Sequence, residues 1–571
     1  MSAPLTMVDV LELRAAQSGA VCAQTFLSTV EGTPTSQTYG QLWARACAIA
    51  DCLRDGAEKS DRALVMLEPG HDYVQSFFGC MLAGIIAVPS YTPRNQREAE
   101  RVARIIADSR PRVMVVNRKS AARMRDLIEV TPAAIWPRVV VVEDIPDGAA
   151  SAPRLRPRPD DLAFIQYTSG STRAPRGVMV THGNITWNSE FIRERFRHTS
   201  ESRGVIWLPP YHDMGLIGGI LQPIYSGFPV HLMSPFRFLQ HPLNWLKCIS
   251  ETRGTTSGGP DFCYEMCIQR IPENALDELD LSSWQVAFSG GEPVRRSTMV
   301  RFARKFARCG FRQNAFFPCY GLAEATLMVT GGFFDPGECR PNRDGVGDTV
   351  SCGDSASDQV VRIVDPATGA TCAPGGTAEI WVKGPGVAAG YWGGAAEPAP
   401  EFAGFIASDG DGPYVRTGDI GFMAGGRLYV SGRRKDLIII RGRNLSPHDI
   451  EHLAAETHPK IVAAGVAAFG LEHEQGERLV CLAEVHKSTT ENEGKDIRGA
   501  IREAVGQGVG VMPHDIRLVR PYTLPRTSSG KLQRFLCAHL YRTEALTAHV
   551  PVERERTPVS LAPATPNQDD T

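Results

Sequence analysis

Apolar and polar positions change period several times along the chain, and each change marks an element. Val8 to Leu53 carries helically spaced apolar residues in two stretches flanking a Gly/Thr/Ser turn, which predicts two amphipathic helices. Ala63 to Leu67 and Gly84 to Tyr91 are short continuous apolar runs, the signature of buried strands, and the stretch between them, Tyr73 to Ala83, is helical in pattern. The alternation continues through Val113 to Val116 and Val139 to Glu143, so a mostly parallel sheet with crossover helices is expected. Ile145 to Asp160, rich in Pro, Ala and Arg, is a surface connector.

Beyond it, strands are predicted at Val205 to Leu208, Val230 to Met233, Gln285 to Ser289 and Asn314 to Pro318, forming a second sheet layer of the same kind. Gln359 to Asp365 and Ala378 to Lys383, separated by Pro/Gly clusters, mark a more antiparallel region. Near Gly432 the sequence Gly-Arg-Arg-Lys-Asp436 interrupts two β-like runs, and the stretch from there to Tyr541 is long enough for a small α/β domain. Pro551 to Thr571 is polar and Pro-rich and is read as a disordered tail.

A length of 571 residues corresponds to about three to four folding units. With 43% hydrophobic and 22% charged residues the chain is globular in composition, neither disordered nor fibrous. A net charge of −2 supplies no field that would gather nucleic acid or an acidic membrane surface, so partners are small or locally recognised. The 14 cysteines are scattered, and Cys263 and Cys267 lack the further ligands of a zinc site, which points to reduced thiols. The first twenty residues have no continuous apolar core of a leader, and runs such as Met81 to Val88 are too short to span a bilayer, so a soluble, cytoplasmic protein without stable membrane insertion is expected.

The stretch Tyr167-Thr-Ser-Gly-Ser-Thr-Arg-Ala-Pro-Arg-Gly177 is a hydroxyl- and glycine-rich loop entered from a buried strand. Small residues let backbone N–H groups approach an anion, and the hydroxyls with Arg173 and Arg176 add donors, so phosphate is the natural ligand. The loop is not a Walker motif, because Pro175 stands where the second glycine should be.

Further segments have the look of strand-end loops, where open α/β sheets bind ligands. They are Leu208-Pro-Pro-Tyr-His-Asp-Met-Gly215, Ser289-Gly-Gly-Glu-Pro293, Cys319-Tyr-Gly-Leu-Ala-Glu-Ala-Thr326, Arg416-Thr-Gly-Asp419 and Leu524-Pro-Arg-Thr-Ser-Ser-Gly-Lys531. Glu324 follows Tyr320 by four positions, which would put ring and carboxylate on one side if a helix begins there. Taken singly, each segment is an ordinary turn, an exposed Glu or a solvated Lys.

In this order they resemble the adenylate-forming superfamily of acyl-CoA synthetases, luciferases and peptide-synthetase adenylation domains. Within it, the chain is similar to the fatty-acyl-AMP ligases through Trp207 to Gly219, Phe238-Leu-Gln-His-Pro242, Ser257-Gly-Gly-Pro-Asp261, Val350-Ser-Cys-Gly353 and Asp436 to Asn444. The resemblance covers nearly the whole chain. It implies an α/β fold with a large N-terminal domain of layered, mostly parallel sheets plus a small barrel-like subdomain (1–432), a hinge (433–436) and a small mobile α/β domain (437–546), with 547–571 as tail. It also implies that a fatty acid is joined to ATP with release of pyrophosphate, and that the acyl group then passes to the phosphopantetheine thiol of an acyl carrier protein on another polypeptide.

The same resemblance assigns roles. Thr168, Ser169, Gly170, Ser171 and Thr172 grip the phosphates, Glu324 helps hold Mg²⁺, and Lys531 bridges carboxylate, α-phosphate and ribose. Adenine lies between Tyr320, followed by Gly321, and the Gly290-Gly291 backbone. Asp419 binds the ribose hydroxyls with Arg433 nearby, His212 stands near the acyl carboxylate, and Lys435 is the hinge. Ile217, Ile220, Leu221, Ile224, Phe262, Met266 and Phe317 are candidates for the acyl tunnel, with core packing as the competing reading. Two departures stand out: Arg176 occupies a position where the family often has Lys, and the segment Met328 to Thr349 is shorter than a fatty-acyl-AMP ligase insertion. The short segment keeps coenzyme A open as acceptor. Asp213 keeps open the activation of an amino or aryl acid, and a non-catalytic acyl-nucleotide sensor is disfavoured by the intact set of Thr168, Glu324, Asp419 and Lys531.

Overall fold

The structure is a computed structural model that describes residues 6–27, 33–147, 155–168, 175–341, 348–393, 398–440, 443–473, 477–527, 530–546 and 549. The loop residues Ser169, Gly170, Ser171, Thr172 and Arg173 and nearly all of the expected tail lie outside the described residues.

Two large sheets carry the chain up to Gly331. The six-stranded sheet runs in the order Arg138–Val141, Val113–Val116, Arg62–Met66, Ile86–Ser90, Leu162–Thr168 and Arg176–Thr181, parallel except for the last pair. Its central strands are buried on both faces, which is why they read as unbroken apolar runs rather than as an alternation. The eight-stranded sheet runs Met328–Gly331, Phe316–Gly321, Val286–Ser289, Thr256–Gly259, Gly204–Ile206, Val230–Met233, Cys22–Leu27 and Thr35–Thr38, with antiparallel pairs at its two edges only. The helix His71–Ala83 is buried from Tyr73 to its end. Other helices start at capping boxes written in the sequence, Thr38 with Gln41, Thr181 with Asn184 and Thr490 with Glu493.

The expected turn between the first two helices instead holds the strands Cys22–Leu27 and Thr35–Thr38. Thr35–Thr38 is a short polar edge strand, and Cys22–Leu27 lies inside it, too short and mixed to show an apolar alternation and paired on its other side with Val230–Met233 some two hundred residues away. A helix at Tyr320 is likewise absent. Tyr320 ends a strand, Glu324 sits on the single 3₁₀ turn Ala323–Ala325, and the chain reverses into Met328–Gly331. The reversal is so tight that a Cβ on Gly321 would lie 1.6 Å from the Leu327 carbonyl oxygen.

A four-stranded antiparallel sheet comes next, Val360–Val364, Ala378–Lys383, Val415–Ala424 and Arg427–Arg433. The segment Met328 to Thr349 ahead of it holds the strand Met328–Gly331, the 3₁₀ turn Pro336–Glu338 and a two-residue pairing of Arg340–Pro341 with Asp348–Thr349, and residues 342–347 are not described. Past the 3₁₀ turn Arg434–Asp436, the chain builds a separate three-stranded sheet, Ile461–Leu471, Arg478–Val485 and Asp515–Val519. That sheet has its own core around Ile450, Leu479, Ile497, Ile501 and Leu518. No helix among the described residues is long and apolar enough to cross a membrane, and all 14 cysteines are free thiols.

The Val350-Ser-Cys-Gly353 motif joins the sheets. The Cys352 amide donates to the Leu428 carbonyl at 2.8 Å, the Leu428 amide donates to the Gly353 carbonyl at 2.9 Å, and Gly353 has φ +69°. A Cβ there would lie 2.1 Å from the carbonyl carbon of Gly331, which is backbone and cannot step aside. Gly353→Ala is therefore expected to destabilise the N-terminal part by more than about 2 kcal/mol, read as a lower denaturant midpoint; an unchanged midpoint refutes this reading of the motif.

Candidate active site

One cavity of about 1840 Å³ opens where the C-terminal ends of both large sheets, the four-stranded sheet and the C-terminal part meet. Thr168, His212, Gly290, Gly291, Tyr320, Gly321, Glu324, Asp419, Arg433, Lys435 and Lys531 all line it. They come from segments up to 363 positions apart, the separation of Thr168 and Lys531 (531 − 168).

Each wall is locally held. The loop bearing His212 is fixed by the Tyr73 hydroxyl donating to the Pro210 carbonyl at 2.9 Å and the Gln166 amide donating to the Tyr211 carbonyl at 2.9 Å. Asp213 then accepts from the Met214 amide at 2.8 Å and starts the π-helix Met214–Leu221. In the Ser257-Gly-Gly-Pro-Asp261 motif, buried Asp261 accepts from the Thr298 hydroxyl at 2.8 Å and the Arg295 amide at 3.2 Å. Burial pushes its carboxyl up to about 7. This motif shapes the wall through packing and helix anchoring.

Asp419 is the most tightly organised carboxylate. Its Oδ2 accepts from the Tyr320 hydroxyl at 2.8 Å and its Oδ1 from Arg433 Nε at 2.8 Å, and the strand register pairs Asp419 directly with Arg433. Burial holds the Tyr320 phenol well above its ordinary range, so it stays a donor, while Asp419 raises the Arg433 guanidinium further.

Lys531 enters from the C-terminal part. Its Nζ lies 3.3 Å from where a Gly291 Cβ would be, so only glycine allows the ammonium this close to the backbone. Burial lowers its pKa, Arg433 adds to the lowering, and Asp213, Glu292 and Asp419 oppose it. His212 is pushed down to about 3, first by burial and then by Lys531 and Arg101, and is neutral at working pH. Lys435 is also lowered, by burial first and then by Arg433.

Glu324 Oε1 accepts from the Tyr391 hydroxyl at 2.7 Å. Tyr391 is a residue that the sequence does not single out: Gly390-Tyr391-Trp392 looks like any aromatic turn, and its place depends on pairing with Arg176–Thr181. Arg176 lines the cavity too, but its guanidinium is paired with Glu401 and lies over the Tyr391 ring, 5.0 Å from the centroid.

Of the tunnel candidates only Phe262 lines the cavity. Ile217, Ile220, Leu221, Ile224, Met266 and Phe317 are core residues. Apolar lining comes instead from Ile192, Phe196, Met214, Gly218, Phe288 and Leu327. Met214 and Gly218, four positions apart on the π-helix Met214–Leu221, both face the cavity.

A sequence profile described as AMP-binding enzyme matches residues 13–392. The medium-chain-fatty-acid–acyl-carrier-protein ligase JamA of Moorena producens (strain JHB) is 36% identical over 560 residues, covering 93% of this chain and 94% of JamA. The long-chain-fatty-acid–AMP ligase FadD23 of Mycobacterium tuberculosis (strain CDC 1551 / Oshkosh) is 34% identical, covering 90% of this chain and 92% of its own. Among solved structures, the fatty acyl-adenylate ligase from L. pneumophila in complex with acyl adenylate and pyrophosphate superposes with a TM-score of 0.73 at 38% identity, over 94% of this chain and 96% of that one. With most of its length matched in sequence and in fold, the chain belongs to the AMP-binding enzymes and, within that adenylate-forming superfamily, to the fatty-acyl-AMP ligases.

Proposed function

We infer that the protein activates a fatty acid with ATP and hands the acyl group to the phosphopantetheine thiol of a separate acyl carrier protein. The observation that carries this reading is the position of Lys531, whose ammonium faces the Gly291 backbone inside the cavity that also holds the Tyr320–Asp419–Arg433 set. In the first half-reaction a carboxylate oxygen of the acid attacks the α-phosphorus, forming the mixed anhydride, and the bond to the β-phosphate oxygen breaks to release pyrophosphate. Both reactants are anions, so a desolvated cation between them offsets repulsion as charge builds on the phosphorus. Lys531 has that place, Asp419 accepts from the ribose hydroxyls, and Tyr320 with Gly290, Gly291 and Gly321 encloses the adenine. Neutral His212 donates toward the acyl carboxylate without a charge of its own to compete.

Thr168 stands at the mouth of the phosphate loop, and its carbonyl accepts from Arg101 at 3.4 Å. Ser169, Gly170, Ser171 and Thr172 complete that loop in this reading. Glu324 suits Mg²⁺: it lines the cavity with a hard carboxylate oxygen ligand, and an ion held mainly by phosphates and water takes only one or two protein carboxylates. When bound, Mg²⁺ offsets charge on the phosphates, and Glu324 is the residue that would hold it.

In the second half-reaction the thiol sulfur attacks the acyl carbon, the C–S bond forms, the anhydride C–O bond breaks with AMP as leaving group, and the thiol proton goes to solvent. Withdrawal of Lys531 by rotation at Lys435 clears the path. The contacts that dock the C-terminal part include polar ones such as Arg295 to the His448 carbonyl at 3.2 Å and Arg97 to Gln533 at 3.0 Å, which suits a part that moves. The domain division at 433–436 is part of this reading. Likeness to JamA across nearly the whole chain supports a carrier protein as acceptor. Dependence on ATP and a reduced thiol fits a cytoplasmic location.

Pyrophosphate exchange into ATP should be stimulated by fatty acids and not by amino or aryl acids, and Lys531→Ala should lower it about 10³-fold with nucleotide binding retained. Unchanged exchange in that variant removes the assignment of Lys531. Thioester yield should favour a phosphopantetheinylated carrier over free coenzyme A; the opposite ratio overturns the acceptor.

The pH dependence comes from the same lysine. Adenylation needs Lys531 protonated, and its pKa is lowered, so the alkaline limb of kcat/KM should fall below the ordinary lysine range. Asp213 raises that pKa, so Asp213→Asn should move the limb to still lower pH. A limb that stays put or moves upward contradicts the pairing.

A further inference from the structure

We propose that Tyr391 is a positioning residue for Glu324, held in place by Arg176 and Glu401, so that the base of the phosphate loop and the carboxylate across the cavity form one mechanical unit. The proposal rests on the reading of Glu324 as the residue that faces Mg²⁺ and the phosphates.

The chain around Tyr391 is stitched to the returning arm of the phosphate-loop hairpin. The Trp392 amide donates to the Gly177 carbonyl at 2.7 Å, the Met179 amide to the Gly390 carbonyl at 2.9 Å and the Ala389 amide to the Met179 carbonyl at 2.9 Å, with Val178 and Tyr391 in antiparallel register. On its other side the segment reaches the 3₁₀ turn of Glu324, because the Ala388 amide donates to the Glu324 carbonyl at 3.0 Å. Backbone and side chain of Glu324 are thus both tied to this one segment.

The Tyr391 hydroxyl donates to Oε1 of Glu324. A hydrogen bond to one carboxylate oxygen fixes the plane of the group and leaves the second oxygen's lone pairs for a ligand. Burial first, and then the neighbouring Glu324, keep the phenol well above its usual pKa, so it remains a donor throughout the working range.

Arg176 explains why the ring is where it is. Its Cα is in register with Thr168, the last described residue before the loop, so it stands at the loop's base. From there the guanidinium pairs with Glu401 and covers the Tyr391 ring, which also packs edge-on with Phe402 at a centroid separation of 5.1 Å. A planar guanidinium can pair with a carboxylate and stack on a ring at the same time, and an ammonium cannot. The Arg at this position therefore has a use in which Lys would not replace it.

The test separates positioning from direct contact. ATP affinity is measured by calorimetry with Mg²⁺ and with EDTA on wild type, Tyr391→Phe, Arg176→Gln and Glu324→Gln, with thermal melting as a check on folding. Tyr391→Phe keeps the ring and removes only the hydroxyl, and it should lose about tenfold of the gain that Mg²⁺ gives to ATP affinity while metal-free affinity stays within about twofold. Arg176→Gln should show the same pattern with a smaller loss, and Arg176→Lys should not restore it. A full Mg²⁺ gain in Tyr391→Phe overturns the proposal. So does a drop in metal-free affinity in Arg176→Gln, which would make Arg176 a phosphate ligand. If Glu324→Gln itself keeps the Mg²⁺ gain, the reading of Glu324 fails instead, and with it the ground of the proposal.

Discussion

Lys531 carries a positive charge into a cavity that disfavours it, and the rest of the site is arranged around that cost. Burial lowers the ammonium's affinity for its proton, and Asp213, Glu292 and Asp419 restore part of it. Three carboxylates from three separate loops therefore stabilise one cation, while Arg433, held on Asp419, opposes it. Substrate anions entering such a site replace lost hydration with charge already in position, which is the electrostatic preorganisation that acyl adenylation demands.

Backbone geometry is the second half of that arrangement. Lys531 comes close to Gly291 because no side chain intervenes, and Tyr320 is placed by a strand that must reverse at once, with Gly321 crossing the Leu327 carbonyl. The glycine-rich motifs serve contact between backbone and charged groups as much as flexibility. Other motif residues act structurally: Asp261 ties two helices together, and Gly353 lets the Ser-Cys-Gly segment pass against Gly331.

That these motif segments gather round one cavity was legible in the sequence. Gly290, Tyr320, Asp419 and Lys531 stand in short motifs whose residue types are unusual together, and the α/β alternation places such loops on one side of the sheets. Tyr391 was not legible, because Gly-Tyr-Trp is an ordinary turn until the pairing of Val178 with Tyr391 brings it to Glu324. The strands Cys22–Leu27 and Thr35–Thr38 were hidden for a related reason: they are short without a clear apolar alternation, and one of them pairs far along the chain. The tunnel candidates failed differently. Apolar residue types cannot say which side of a helix meets a cavity, and within Met214–Leu221 it is Gly218 rather than Ile217 that lines it.

The same cation also constrains the order of events. Lys531 Nζ stands against the Gly291 backbone, and in the proposed reading that is the space through which a thiol must approach the acyl carbon. The links that hold it there are few-atom polar contacts such as Ser297 to His452 at 3.3 Å and Arg270 to the Tyr522 hydroxyl at 3.2 Å, each contributing about 1 kcal/mol net. The C-terminal core, by contrast, is apolar and self-contained around Ile450, Ile497 and Leu518, so it keeps its fold when those links open. In the proposed reading, packing within the part and the polar contacts across its boundary let it rotate as a body, and part of the anionic charge that draws Lys531 in leaves with pyrophosphate. Release of the leaving group thus weakens the attraction that kept the thiol's path closed.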